Sequence, residues 1–187
     1  MKQLKDSRKT QYTKMVLRDS LMEILQNKPI SKITIKELCE KADINRTTFY
    51  AHYTSHFDLL KKTEDETLAW AKEIINDLQN ISDRSEILPF IEGTIETIAQ
   101  NNHIGVLMSE RGDIAFQNRL CSTMYSHPGM QKFIYSDGNE KNDEWYKTYV
   151  IFGMIGVIRH WLKNNKNISN KELAEILFNI IFHGKQC

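Results

Sequence analysis

The stretch TIKELCEKADINRTTFYAHYTSHFDLL, residues 34–60, constrains the chain more than any other. Ile35, Leu38 and Cys39 fall on one helical face behind Thr34, a residue type that caps helix N-termini, which predicts a short helix ending near Lys41. Asp43 then lies in a turn. Asn45 is a second N-cap candidate and opens another short helix, in which Phe49 and Tyr53 stand four apart and turn inward together. Two short helices joined by three or four residues make a helix-turn-helix. The outward face of the second would then carry Arg46, Thr47 and Thr48, with Tyr50 and His52 further along. Arginine pairs with guanine in the major groove, threonine contacts bases or thymine methyls, and tyrosine or histidine donates to phosphate oxygens. This is the composition of a recognition helix, although a polar surface turn in an ordinary helical bundle has the same pattern.

Charge favours the first reading, although a solvated basic surface without a partner would carry the same excess. The 187 residues carry a net charge of only +1. Residues 1–62 hold thirteen Lys and Arg against seven Asp and Glu, a net of +6, which leaves twelve against seventeen, a net of −5, for the other 125. A basic head on an acidic body is what a DNA-binding module joined to a non-binding one shows, and the excess coincides with the helix pair. Lys2, Lys5, Arg8 and Lys9 fit an arm that follows the DNA backbone, and equally a solvated tail.

With 41% hydrophobic and 26% charged residues the chain is neither disordered nor membrane-embedded. Its longest nearly apolar run, residues 150–161, is interrupted by Arg159 and His160 and is shorter than the roughly 20 residues of a membrane span. The charged N-terminus lacks the apolar segment of a signal peptide, so a cytoplasmic location is expected. Cys39, Cys121 and Cys187 are too few and too scattered for a disulfide framework.

Helical periodicity organises the rest. A first helix is predicted from Arg8 to about Gln26, ended by Asn27-Lys28-Pro29, and a long fourth one from Thr54-Ser55 to about Gln79. Ser82-Asp83 can cap a fifth, with Ile87, Phe90, Ile91, Ile95 and Ile98 on its buried side. Breaks are expected at residues 103–105 and 111–113, an amphipathic segment at 114–124, and a turn at Ser126-His127-Pro128-Gly129. Residues 130–141 have no clear pattern, and 136–139 look like a loop. Asn142 or Asp143 then starts the most apolar helix, through about Asn164, and Ser169 or Asn170 caps the last, through Phe182. Gly153 and Gly156 are poor helix residues and imply close backbone approach at a packed surface. Two final helices this apolar fit a homodimeric four-helix bundle, with Tyr149, Phe152, Gly153, Gly156, Trp161, Leu173, Leu177 and Ile180 as the expected contacts. Plain intrachain core is the alternative.

The motifs T-I-x-E-L at 34–38, E-K-A at 40–42 and T-F-Y-x-H-Y at 48–53, followed by Leu59-Leu60, resemble the DNA-binding domain of the tetracycline-repressor (TetR) family. The chain departs from that pattern with Asp43 where glycine is usual in the turn, and with His56 where lysine usually opens the fourth helix. Aspartate tolerates left-handed geometry. Histidine replaces a permanent cation by one mostly neutral near pH 7, which weakens a phosphate contact and would make operator affinity vary at about pH 6 to 7.

The resemblance implies an all-α protein with an N-terminal three-helix helix-turn-helix domain, residues 1–54, and a C-terminal helical domain for dimerisation and ligand binding, residues 55–187. Bases would be read by Arg46, Thr47 and Thr48 beside Asn45, and phosphates held by Thr34, Tyr50, His52 and His56. It also implies an effector site beside the connecting helix. Trp70, Phe90, Met108, Phe116, Met124 and Tyr125 are candidates to line it, though each also fits plain core. The expected function is a homodimeric repressor of double-stranded operator DNA, controlled by a small-molecule effector; a coactivator or adaptor acting through a protein partner is the alternative. No metal site, cofactor or enzyme activity is expected, because no nucleophile and base, carboxylate pair or phosphate loop stands at catalytic spacing.

Overall fold

Helix ends in this chain are written by short polar side chains. The computed structural model describes residues 7–109, 112–134, 140–164 and 167–183. Ser7 caps α1 (Arg8–Leu25) by accepting the Thr10 amide at 3.2 Å, and Thr34 caps α2 (Ile35–Ala42) by accepting the Glu37 amide at 3.2 Å. A 3-10 turn, Ile30–Lys32, links them. Asn45 caps α3 (Arg46–Tyr50), its Oδ1 accepting the Thr47 amide at 2.8 Å. Between α2 and α3, Asp43 sits at φ 52° and ψ 40°, and the Ile44 amide reaches back to the Cys39 carbonyl at 3.0 Å. This is a Schellman ending with aspartate in the left-handed position that glycine usually takes. Leu17 and Leu21 of α1, Leu38 of α2 and Phe49 of α3 are fully buried and form the core of the three helices.

α4 (His56–Asn80) starts in this first compact unit, Met1–Glu66, and ends in the second, Thr67–Cys187. The division therefore falls twelve residues beyond the expected 54/55 boundary. Leu59, Thr63 and Glu64 of its opening turns are buried in the first unit, and Arg18 of α1 pairs with Glu66 at 3.1 Å. Those turns pack with the first unit, although the boundary expected from sequence assigns them to the C-terminal domain.

The second unit continues with a 3-10 turn at Arg84–Glu86, α5 (Ile87–Gln100), α6 (Asn102–Leu107), α7 (Ile114–Ser126), α8 (Pro128–Ile134), α9 (Glu140–Lys163) and α10 (Asn170–His183). All regular structure among the described residues is helical. α10 packs on α5 and α9, and α9 also meets α6 and α7. Ser169 and Glu172 form a reciprocal capping box at the start of α10: the Ser169 amide donates to Glu172 Oε2 at 2.8 Å and the Glu172 amide to Ser169 Oγ at 3.2 Å.

Three sequence expectations are corrected. The break expected at 103–105 lies earlier, at the single residue Asn101: Asn101 Oδ1 accepts the His103 amide, so residues 103–105 lie inside α6. Pro128-Gly129 is not a turn but the opening of α8, because proline without an amide fits the first helical position and holds His127 extended before it. Residues 130–134 continue α8, and α9 starts at Glu140, ahead of the expected Asn142 or Asp143. Close approach is found at Gly129, where an added Cβ would stand 2.8 Å from the Ile75 carbonyl oxygen of α4, and at Gly112, where it would meet the Leu107 carbonyl; nothing lies within 4 Å of a Cβ at Gly153 or Gly156. The loop expected at 136–139, the cations Lys2 and Lys5, Arg111 of the 111–113 break and Cys187 lie outside the described residues.

The turn at Asp43 makes a direct test of the helix-turn-helix geometry. Asp43→Val places a branched side chain at positive φ and should lower unfolding free energy by about 1–2 kcal/mol. Asp43→Gly should stay within about 1 kcal/mol of the parent. Urea denaturation measures both, and a Val variant as stable as the parent would contradict the left-handed turn.

Candidate functional site

The surface of α3 is built by two inward rings. Phe49 and Tyr53 are buried with centroids 5.8 Å apart, and their anchoring turns Arg46, Thr47 and Tyr50 to solvent, leaving Thr48 and His52 half-buried. Tyr50 stands edge-on to Phe49 with its ring exposed, so its hydroxyl can reach a phosphate while the ring stays braced. Thr34 and Asn45 are primarily capping residues here. Their oxygens accept the Glu37 and Thr47 amides, and the Thr34 hydroxyl hydrogen and Asn45 amide group keep donor capacity for a ligand.

His56 is placed differently from expectation. Its ring lies 4.4 Å from Phe57, and both ring nitrogens are covered and without a hydrogen-bond partner. Neither nitrogen can meet a phosphate in this arrangement, because the ring packs as an apolar plate at the start of α4. The pH dependence expected from a His56–phosphate contact loses its geometric basis with it.

A junction that sequence reasoning missed fixes the end of the recognition helix. Ser55 Oγ accepts the Asp58 amide at 3.1 Å while Asp58 Oδ2 accepts the Thr54 amide at 2.9 Å. Lys62 Nζ donates to Asp58 Oδ2 at 3.1 Å and to the His52 carbonyl at 3.2 Å, and lies 5.0 Å from the centre of the Tyr53 ring. The Asp58–Lys62 spacing of four was legible in the sequence; the return to His52 depends on the chain reversing at residues 51–55. The Thr54 amide and then Lys62 hold the Asp58 carboxyl below its ordinary 3.8. Lys28, bonded at 2.5 Å, lowers Glu37 in the same way.

The second unit holds a partly open apolar cavity of about 160 Å³. Five of the six expected residues line it: Trp70, Phe90, Met108, Phe116 and Met124. Tyr125 does not. Its ring faces the Lys147 ammonium at 4.2 Å and its hydroxyl donates to Glu144 at 3.4 Å, one helical step away from the wall residue Met124. Ile74, Ile75 and Leu78 of α4, Met130 of α8, and Met154 and Ile155 of α9 also contribute. Desolvation pushes the Cys121 and Cys39 thiols up, so neither is a ready thiolate.

The residues expected at a subunit contact divide in two. Trp161, Leu173 and Leu177 are 2%, 1% and 3% exposed and belong to the chain's own core; the Trp161 indole donates to the Ile168 carbonyl at 3.0 Å. Ile180 is half-buried. Tyr149, Phe152 and Gly156 are exposed, and with Trp145, which the sequence reading passed over, they repeat at four, three and four residues along one face of α9. Trp145 is 79% exposed, an unusual position for an indole.

A family profile for the C-terminal region of TetR-type transcriptional regulators matches residues 85–183, 99 of the 187. The chain belongs to the TetR family of transcriptional regulators. It is thereby a DNA-binding regulator and not an enzyme. Solved TetR-type structures share the fold. A TetR regulator from Streptococcus agalactiae 2603V superposes with a TM-score of 0.62 at 20% identity, over 93% of this chain and 96% of that one. FadR from Bacillus subtilis in complex with stearoyl-CoA gives 0.66 at 11%, over 90% and 97%. NalD, the secondary repressor of a multidrug efflux pump in Pseudomonas aeruginosa, gives 0.66 at 12%, over 95% and 97%. Comparison with curated proteins finds no match. Among the described residues no helix is long and apolar enough to cross a membrane.

The junction beside the TetR-type recognition helix carries a pH signature. Because Asp58 has a folded pKa below its unfolded value, its contribution to stability is present above about pH 4 and is lost as pH falls through the folded value. Asp58→Asn should be less stable than the parent at pH 7, with the difference in thermal midpoint shrinking toward pH 3. A difference that stays constant across that range would contradict the assignment.

Proposed function

We propose that this regulator is a cytoplasmic homodimeric repressor whose hold on double-stranded operator DNA is controlled by a small molecule in the second-unit cavity. One observation carries the reading: α4 holds the turn that follows α3, at His52 and Thr54, through Lys62 and Asp58 and lines the cavity with residues from Trp70 to Leu78. A ligand that favours one setting of α4 shifts the population of DNA-competent dimers by its difference in affinity for the two settings. Two recognition helices must meet half-sites about 34–36 Å apart per turn of DNA, so a displacement of a few ångströms suffices. NalD, a repressor by its name, shares this fold, which supports the direction of control.

Arg46, with Thr47 and Thr48, reads base edges, while Thr34, Tyr50 and His52 hold the backbone. The dimer face is the Trp145, Tyr149, Phe152 and Gly156 stripe, joined by the exposed Ile176 of α10. An exposed row of aromatics is a costly surface for a lone chain, and a two-fold axis through it covers both copies at once. Gly156 leaves open space over the helix backbone where a partner helix can approach.

Two outcomes are expected. Arg46→Ala should weaken operator binding by about 1–3 kcal/mol and relax preference at one base position, read by binding to single-base operator variants; an equal loss on every sequence would make Arg46 a phosphate contact instead. Phe152→Glu should sediment as a monomer at concentrations where the parent is a dimer, and an unchanged dimer would remove this face from the interface.

A further inference from the structure

The cavity's wall chemistry defines the kind of molecule it takes. Among the described residues that form the wall, none is Asp, Glu, Lys, Arg or His. Its only polar side chains are Thr67, Thr94 and the Trp70 indole, and the Thr94 hydroxyl hydrogen is committed to the Phe90 carbonyl at 2.9 Å. The buried cation of this unit, Lys147, is held over the Tyr125 ring and stands outside the wall. A carboxylate or an ammonium brought inside would thus lose its water and gain no counter-charge, so it enters only by giving up its charge.

Size narrows the class further. A cavity of about 160 Å³ is close to the roughly 150 Å³ apolar cavity that stays dry and binds benzene. Met108, Met124, Met130 and Met154 contribute four thioethers to the wall, and unbranched methionine re-packs around differently shaped apolar guests and makes favourable contacts with aromatic rings. Isoleucines fill much of the remainder, so shape adjusts while polarity does not.

We propose that the effector is an uncharged, ring-sized hydrophobe, of the class of a monocyclic aromatic or alicyclic hydrocarbon, and neither an acid nor an amine. This rests on the reading of the cavity as the effector site. Selectivity comes from exclusion: the site rejects charge because it offers no partner for it, and accepts ring-shaped guests with modest discrimination among them.

Three probes of similar shape test this on the full chain without DNA: toluene, benzoate and benzylamine, titrated near pH 7 by calorimetry. Toluene should bind saturably at one per chain, with both charged probes at least about 30-fold weaker. Benzoate or benzylamine binding as tightly as toluene would overturn the proposal, as would the absence of saturable toluene binding. Location is read independently in two ways. Toluene should shift the methyl resonances of Met108, Met124, Met130 and Met154 in carbon-labelled protein, and Ala71→Leu, which extends a wall residue into the empty space, should reduce toluene affinity at least about tenfold. Methyl resonances that stay still while toluene binds would place it elsewhere and overturn the assignment. Operator binding with and without toluene is measured separately. If toluene binds in the cavity and operator affinity does not change, the ligand class stands and ligand control of DNA binding fails.

Discussion

One helix has to satisfy two environments. α4 runs for 25 residues, about 37 Å at 1.5 Å per residue, and its backbone hydrogen bonds make it a stiff element. Its first turns bury Leu59, Thr63 and Glu64 in the first unit, and its later ones bury Ile75 and Leu78 beside the cavity. The ion pair and carbonyl contact of Lys62 matter less for stability than for position, since exposed ion pairs are worth little. What they do is hold the exit of the recognition helix to the start of α4.

The two candidate sites are built on opposite logics. α3 is short, and most of its bonding capacity beyond the backbone points outward, with Arg46, Thr47 and Tyr50 exposed over a buried pair of rings. The cavity inverts this, with a wall that is almost entirely carbon and with the Thr94 hydroxyl turned to the Phe90 carbonyl of its own helix. Such a void is unfavourable when empty, because its lining forgoes dispersion contacts, and a guest that restores them is bound without any specific hydrogen bond. Gly129 contributes to the same region, since only a residue without Cβ lets α8 come onto the Ile75 carbonyl.

Much of this was legible in the sequence because the signals are local. The caps at Thr34, Asn45 and Ser169 and the inward pair Phe49 and Tyr53 follow from residue type and spacing, whereas the cavity was expected from the family resemblance, and five of the six apolar candidates named for it line it. What was not legible depends on tertiary context. Periodicity cannot say that the Trp161 indole finds the Ile168 carbonyl and so belongs to the core, while Trp145 on the same helix faces out. Tyr125 and Met124 differ by one helical step of about 100°, enough to put one in the wall and the other over Lys147. Pro128 misled because proline both stops helices and opens them. His56 sits at a position where a cation was expected, yet packing against Phe57 turned its nitrogens inward.

The central claim is that this fold reads a two-fold symmetric DNA site through α3. Selection of bound fragments from random double-stranded DNA at two salt concentrations tests it most directly. The account predicts a palindromic site with half-sites one or two helical turns apart, and an affinity that falls steeply with salt as phosphate contacts release counterions. Recovery of no enriched sequence at either concentration would contradict it.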